Sequence, residues 1–293
     1  MKLGRTAPVS VHLLTHSMRA CLALTLCTVI SVVQEPHAAT RVLIVAGQSN
    51  AVGYGANANT LPPVLYSPQR DVPYEYNIGG LPPVTDFVWL KWLNGGSGVS
   101  LYSKFCGPEL SLGRGGADAF PDSQFLVVKV AVNGTSLCYD WDPNRSGSLY
   151  GVMTQAVRTA MAGVAARGGT SVVAGYFWMQ GESDAASPDC ANAYNANLTA
   201  FITRVRSEFG QPALPFVLGR ISSRIPIESF PYRQIVQDAQ AAVADADPFT
   251  EWVNTDALSL IFDSLHFDTQ GEVRLGGLFA RAYVNLVAAP RIR

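Results

Sequence analysis

The chain has 293 residues, 48% of them hydrophobic and 15% charged, with a formal net charge of −1. No run of Lys or Arg offers the basic face that a nucleic-acid or anionic-membrane partner requires, so neither partner is expected. No internal repeat or low-complexity tract is present, and the length suffices for a large core without cross-links.

In chain order, the first feature is an apolar, uncharged stretch at 20–33, preceded by Arg19 and followed by the polar QEPHAAT. Its 14 residues are too few to span a bilayer comfortably and read as the h-region of a secretory signal peptide. Residues 1–39 are therefore expected to be removed near Ala38 or Ala39, and the long lead-in makes Met18 an alternative start. The expected product is secreted or periplasmic, free of the membrane once the leader is cut, and a single domain over residues 40–293. Cleavage leaves three cysteines, Cys106, Cys138 and Cys190, and one histidine, His266. No C-x-x-C or Cys/His cluster exists, so no metal and no cofactor are expected.

Five short β-rich apolar runs, each closed by polar residues or glycine, read as buried parallel strands: 42–46, 125–132, 172–179, 215–219 and 251–254. Helical spacing separates several of them. Val152, Ala156, Val157, Ala160 and Val164 share one face and stop before Gly168; Tyr194, Leu198, Phe201, Ile202 and Val205 do the same before Gly210. YRQIVQDAQAAVADA is a third helix, and 271–286 a fourth. This alternation predicts an α/β fold: a three-layer α/β/α sandwich around a central, mostly parallel, five-stranded flavodoxin-like sheet. The segment 56–121, rich in Pro, Gly, Asn and Tyr, breaks the rhythm and reads as a long loop insertion. Its aromatic residues, Tyr66, Tyr74, Tyr76, Phe87, Trp89, Trp92 and Tyr102, read as a satellite core rather than sugar-stacking platforms.

Four motifs fall at one edge of this sheet: GQSN with Ser49, VNGTSL with Asn133 and Gly134, WMQGESDA with Gln180, Glu182 and Asp184, and DSLHFD with Asp263 and His266. Each alone has a plain structural reading; a serine in a glycine-flanked turn is common, and D-x-x-H can be a capped surface turn. Together they supply what ester hydrolysis needs. A serine hydroxyl is a poor nucleophile near neutral pH without a base, and an imidazole titrates in the right range. A carboxylate must hold that imidazole in one tautomer, and Asp263, three residues before His266, can reach it. The developing oxyanion needs donors, for which the N–H groups of Ser49 and Gly134 and the amide of Gln180 are candidates. Glu182 is a second candidate for orienting His266. Asp184 reads as a cap or loop anchor.

The set GQSNAVG, NGTSL, WMQGESDA and DSLHFD, in this order, resembles the SGNH hydrolase superfamily, and within it the sialate O-acetylesterase-like branch that includes the carbohydrate esterase family 6 acetylxylan esterases. The resemblance runs from about Arg41 to the last helix. It implies Ser49 as nucleophile, His266 as base, Asp263 as the usual acid, and an oxyanion hole from Ser49, Gly134 and Gln180. FCGPEL also resembles a family element that opens a helix near the site, and Asn133 departs from relatives that often carry a second glycine. The expected function is a serine esterase that hydrolyses O-acetyl esters on carbohydrate such as xylan or sialic acid. The alternative is a noncatalytic carbohydrate-binding protein on the same fold. A nucleotide-binding loop is disfavoured, because GQSNAVGYG lacks the lysine of a P-loop and the G-x-G-x-x-G spacing. Cys138 and Cys190 follow the Gly134 and Gln180 loops, so a bond between them is expected, with a Cys106 pairing as the alternative. The oligomeric state is left open by the sequence.

Overall fold

Among the described residues of the computed structural model, seven strands form the main sheet, in the order β3-β2-β6-β1-β7-β8-β9. The residues described are Met1, 38–77, 84–94 and 100–288, so the predicted leader falls almost wholly outside them. The strands are β1 (Thr40–Gly47), β2 (Gln69–Asn77), β3 (Val84–Leu90), β6 (Phe125–Ala131), β7 (Ser171–Met179), β8 (Phe216–Arg220) and β9 (Thr250–Asn254). A separate two-stranded pair joins β4 (Leu93–Asn94) to β5 (Lys104–Phe105). The helices are α1 (Ser49–Val52), α2 (Pro63–Tyr66), α3 (Glu109–Ala119), α4 (Leu149–Ala166), α5 (Pro188–Glu208), α6 (Arg233–Asp245) and α7 (Thr269–Ala288). No helix among the described residues is long and apolar enough to cross a membrane.

All five predicted strands and all four predicted helices are present. The strand count is corrected: six strands run parallel rather than five, and β3 adds an antiparallel edge. The additions, β2 and β3, lie within the segment read as loop. In β2, Val72, Tyr74 and Tyr76 alternate and are buried, which is the strand period. Pro73 masks that signal because it cannot donate to a ladder, and the pairing with β3 shifts register beside it. Tyr74 and Tyr76 do pack inward, as expected of a core, whereas Tyr66 stays partly exposed against Trp92.

The layers follow from side-chain alternation along β7. Tyr176 and Trp178 point to one face and pack on Phe201 of α5, which also meets Tyr150 of α4. Phe177 points to the other face and packs on Phe279 and Tyr283 of α7. Both faces of β1 and β6 are thus covered, and β6 is buried throughout.

The strand order sets where a site can form. The chain leaves β1 for strands on one side, through β6, and then crosses to β7 on the other side. That reversal opens a crevice at the carboxyl ends of β1, β6 and β7, the usual ligand position in an open α/β sheet.

Candidate active site

Gly47 ends β1 between its two neighbours: its carbonyl accepts from Val132 N–H, and the N–H of Gln48 donates to Met179 O at 2.9 Å. Gly47 adopts φ +141°, and a β-carbon there would lie 2.0 Å from Met179 O, so only glycine fits. The chain then turns directly into α1, with Ser49 as its first residue and 4% exposed. The Ser49 N–H, at the start of the helix, has no intrahelical acceptor.

Asn50 fastens the histidine loop to this helix. Its amide donates to Leu265 O at 3.2 Å and its carbonyl oxygen accepts from Phe267 N–H at 3.0 Å, gripping the backbone on both sides of His266. The loop closes on itself through Ile261 N–H to His266 O and a bridge between Leu260 and Phe267. His266 Nδ1 lies 2.7 Å from Asp263 Oδ2, and the N–H groups of Leu265 and His266 each reach Asp263 Oδ1 at 2.9 Å. Partial burial raises the Asp263 pKa, but the hydrogen bonds from the His266 ring and backbone and from Leu265 outweigh it and hold the carboxyl below its ordinary value. An ionised carboxylate only accepts, so Nδ1 carries the hydrogen, and in the neutral imidazole Nε2 is then the acceptor. Tyr54 packs its ring 4.7 Å from the imidazole.

Of the candidate oxyanion donors, Gly134 stands in the loop after β6 at φ +68°, and a β-carbon there would meet nothing within 4 Å. Glycine is required by that conformation rather than by crowding, and the space beside it is open. Gln180 is the third candidate, and its side chain faces inward. It is fully buried, and its amide nitrogen faces three acceptors: Asp184 Oδ2 at 2.5 Å, Thr135 O at 3.0 Å and Gln48 Oε1 at 3.2 Å. Two amide hydrogens are already outnumbered, so none is left for an oxyanion. The side chain instead braces the Gly134 loop through Thr135, and Asp184 helps by accepting from the N–H groups of Leu137 and Cys138. Asp184 is therefore the loop anchor expected.

Glu182 is placed behind the site rather than on the imidazole. Its Oε1 accepts from Asn50 at 2.8 Å, and its Oε2 has no hydrogen-bond partner among the described residues. Burial pushes its carboxyl up to about 7, opposed by the Asn50 hydrogen bond. The unfolded group titrates near 4.5, so the folded chain holds this proton more tightly. The stability drawn from it is full below about 4.5 and is lost as pH rises through about 7. Glu182→Gln keeps the acceptor for Asn50 without the charge. It should lose less stability than the wild type between pH 5 and pH 8, read as the shift in denaturant midpoint. An equal loss in both proteins would refute this account.

Cys138 and Cys190 are bonded and Cys106 is a buried free thiol, which agrees with the first of the two pairings weighed above. The bridge ties the loop after β6 to the first turn of α5. Cys138, Asp184 and Cys190 are the group among the described residues whose ligand atoms lie close enough to hold an ion, but the disulfide consumes two of the three.

The residues that sequence reasoning missed are Gln48, Asn50, Thr135 and Tyr54. Gln48 and Asn50 flank Ser49 in the quoted motif; two amides beside the serine at the end of an apolar strand were the available signal, since such buried groups must be bonded.

Comparison with known proteins adds the following. Residues 39–285 match the family model described as carbohydrate esterase, sialic acid-specific acetylesterase. A probable carbohydrate esterase of Arabidopsis thaliana is 31% identical over 108 residues, a stretch covering 37% of this chain and 39% of that relative. Among solved structures, an Arabidopsis thaliana protein superposes with a TM-score of 0.64 at 22% identity over 85% of this chain and 99% of the other. NanS gives 0.62 at 15% identity over 87% and 99%, and a carbohydrate acetylesterase from Xanthomonas citri gives 0.62 at 15% over 86% and 57%. These likenesses establish the shared fold.

Proposed function

From the premise that this chain belongs to the sialic acid-specific acetylesterase family of carbohydrate esterases, we propose that it removes O-acetyl groups from carbohydrate by a Ser-His-Asp acyl-enzyme mechanism. The observation that carries this reading is the 2.7 Å contact between His266 and Asp263 on a loop that Asn50 fastens to the helix bearing Ser49.

In the proposed reaction, Ser49 Oγ attacks the acetyl carbonyl carbon while His266 Nε2 takes its proton. The ester bond to the sugar breaks, and His266 returns the proton to the sugar oxygen. Water then attacks the acetyl-Ser49 ester, its proton passing to His266 and on to Ser49 Oγ as acetate leaves. Asp263 holds the tautomer and stabilises the imidazolium. The N–H groups of Ser49 and Gly134 receive the oxyanion, in a site where each donor is worth about a hundredfold or more in rate. The leader predicted at 1–39 and the Cys138–Cys190 bond both fit a mature enzyme of residues 40–293 outside the cytoplasm.

The test is acetate release from acetylated xylan, pectin, sialic acid and exopolysaccharide, with and without EDTA. Release from at least one, unchanged by EDTA, is expected. Binding to these carbohydrates without release of acetate would favour the noncatalytic alternative, and a loss restored only by a divalent ion would overturn the metal-independent part.

A further inference from the structure

The loop that carries Asp263 and His266 also carries a side chain with no structural work to do. Phe262 is 87% exposed. Singly exposed apolar residues are ordinary; the position of this one is not. It stands between Ile261, whose N–H is bonded to His266 O, and Asp263, whose carboxylate is bonded to the His266 ring. Ser264, two residues on, is held at φ +58°, a conformation a non-glycine residue adopts only where its surroundings impose it. The loop is thus closed at both ends and fixed in the middle, and it holds an exposed aromatic ring four residues before the proposed base.

The other loop of the site does the same. Tyr139, five residues after Gly134, is 57% exposed. The guanidinium of Arg145 lies 3.4 Å from its ring centroid and steadies it from one side. Asp184 and the Cys138–Cys190 bond anchor the segment just before it.

We propose that Phe262 is a stacking platform for a sugar ring adjoining the acetylated one, with Tyr139 as a second platform on the Gly134 loop. The ring faces are apolar and carry partial negative charge, which suits the C–H face of a neutral sugar. The inference rests on the esterase reading above and extends it: the substrate is an acetylated oligosaccharide or polysaccharide rather than a free acetylated monosaccharide.

The experiment compares KM for p-nitrophenyl acetate with KM for an acetylated oligosaccharide, taken as the xylan, pectin or exopolysaccharide fragment the wild type turns over best. In Phe262→Ala the ratio of oligosaccharide KM to p-nitrophenyl acetate KM should rise about tenfold, the order one stacked ring supplies. Tyr139→Ala should raise it several-fold, and Phe262→Trp should keep it near the wild-type value. An unchanged ratio in Phe262→Ala, whether because neither KM moves or because both move together, overturns the proposal. If the wild type turns over no ester, the esterase reading fails, and calorimetric binding of the deacetylated oligosaccharides decides the platform separately. Weaker binding by Phe262→Ala than by wild type supports it; equal binding, or none by either, overturns it.

Discussion

Ser49→Ala and His266→Ala should each lower kcat for acetyl-ester hydrolysis by roughly a thousandfold or more, and the double variant should be little worse than either. Non-additivity is the sharper part of this expectation. If the imidazole acts only by taking the Ser49 proton, it has nothing to do once the hydroxyl is gone. No histidine other than His266 lies among the described residues, so no neighbour can substitute. A folded His266→Ala protein that keeps most of its esterase activity would end the mechanism.

Asp263→Asn belongs to the same experiment. An amide at that position would present a donor to Nδ1 or favour the wrong tautomer, at a cost of roughly 10⁴ in kcat in a comparable triad. The sequence alone left Glu182 a share in this role. The hydrogen bonds divide the work differently: Asp263 holds the ring, while Glu182 holds Asn50, which holds the backbone around the ring. Glu182→Gln should therefore cost far less than Asp263→Asn, and adding it to Asp263→Asn should change little. Equal losses from the two single variants would show that Glu182 orients the imidazole directly.

The parts of this molecule that were legible in the sequence are those where one physical rule acts alone. Runs such as LIVA and FLVVKV are buried on both faces, so their composition announces a parallel strand. The edge of the sheet was hidden because several rules act there at once. In β2, alternation is interrupted by Pro73 and by Glu75, a charged residue buried between Tyr74 and Tyr76. At the site, residue types could be read but not directions. Gln180 has the donor an oxyanion needs, yet Asp184, Thr135 and Gln48 claim that donor from three separate segments. Asn50 offered the converse problem, since its role depends on a loop 215 residues away in the chain. A motif records which groups are present; only packing decides where each hydrogen points.

Lys129→Met should destabilise the protein by about 3–5 kcal/mol, measured by denaturant unfolding. Lys129 sits in the middle of β6 and is fully buried, as is its partner Glu109 in the first turn of α3, with Nζ 2.7 Å from Oε2. Nζ also donates to Val52 O at 2.9 Å, the last residue of the helix that begins with Ser49, and Glu109 Oε1 accepts from Gly107 N–H at 3.0 Å. Removing the ammonium would strand the Glu109 carboxylate in the core with one backbone donor. It would do so near Glu272, a fully buried carboxyl with no side-chain hydrogen-bond partner among the described residues, which burial already pushes well above its ordinary value. The cost is therefore that of an uncompensated charge, not of a lost attraction, because a buried pair gains little net energy over apolar residues of similar size. That distinction predicts a rescue. Lys129→Met combined with Glu109→Gln removes both charges and keeps the acceptor for Gly107, so it should recover most of the lost stability. It should not recover full activity, because Val52 O stays without its donor and the end of α1 loses its tie to the sheet. A double variant no more stable than Lys129→Met would refute the charge argument, and one with wild-type kcat would show that Ser49 does not depend on this anchor.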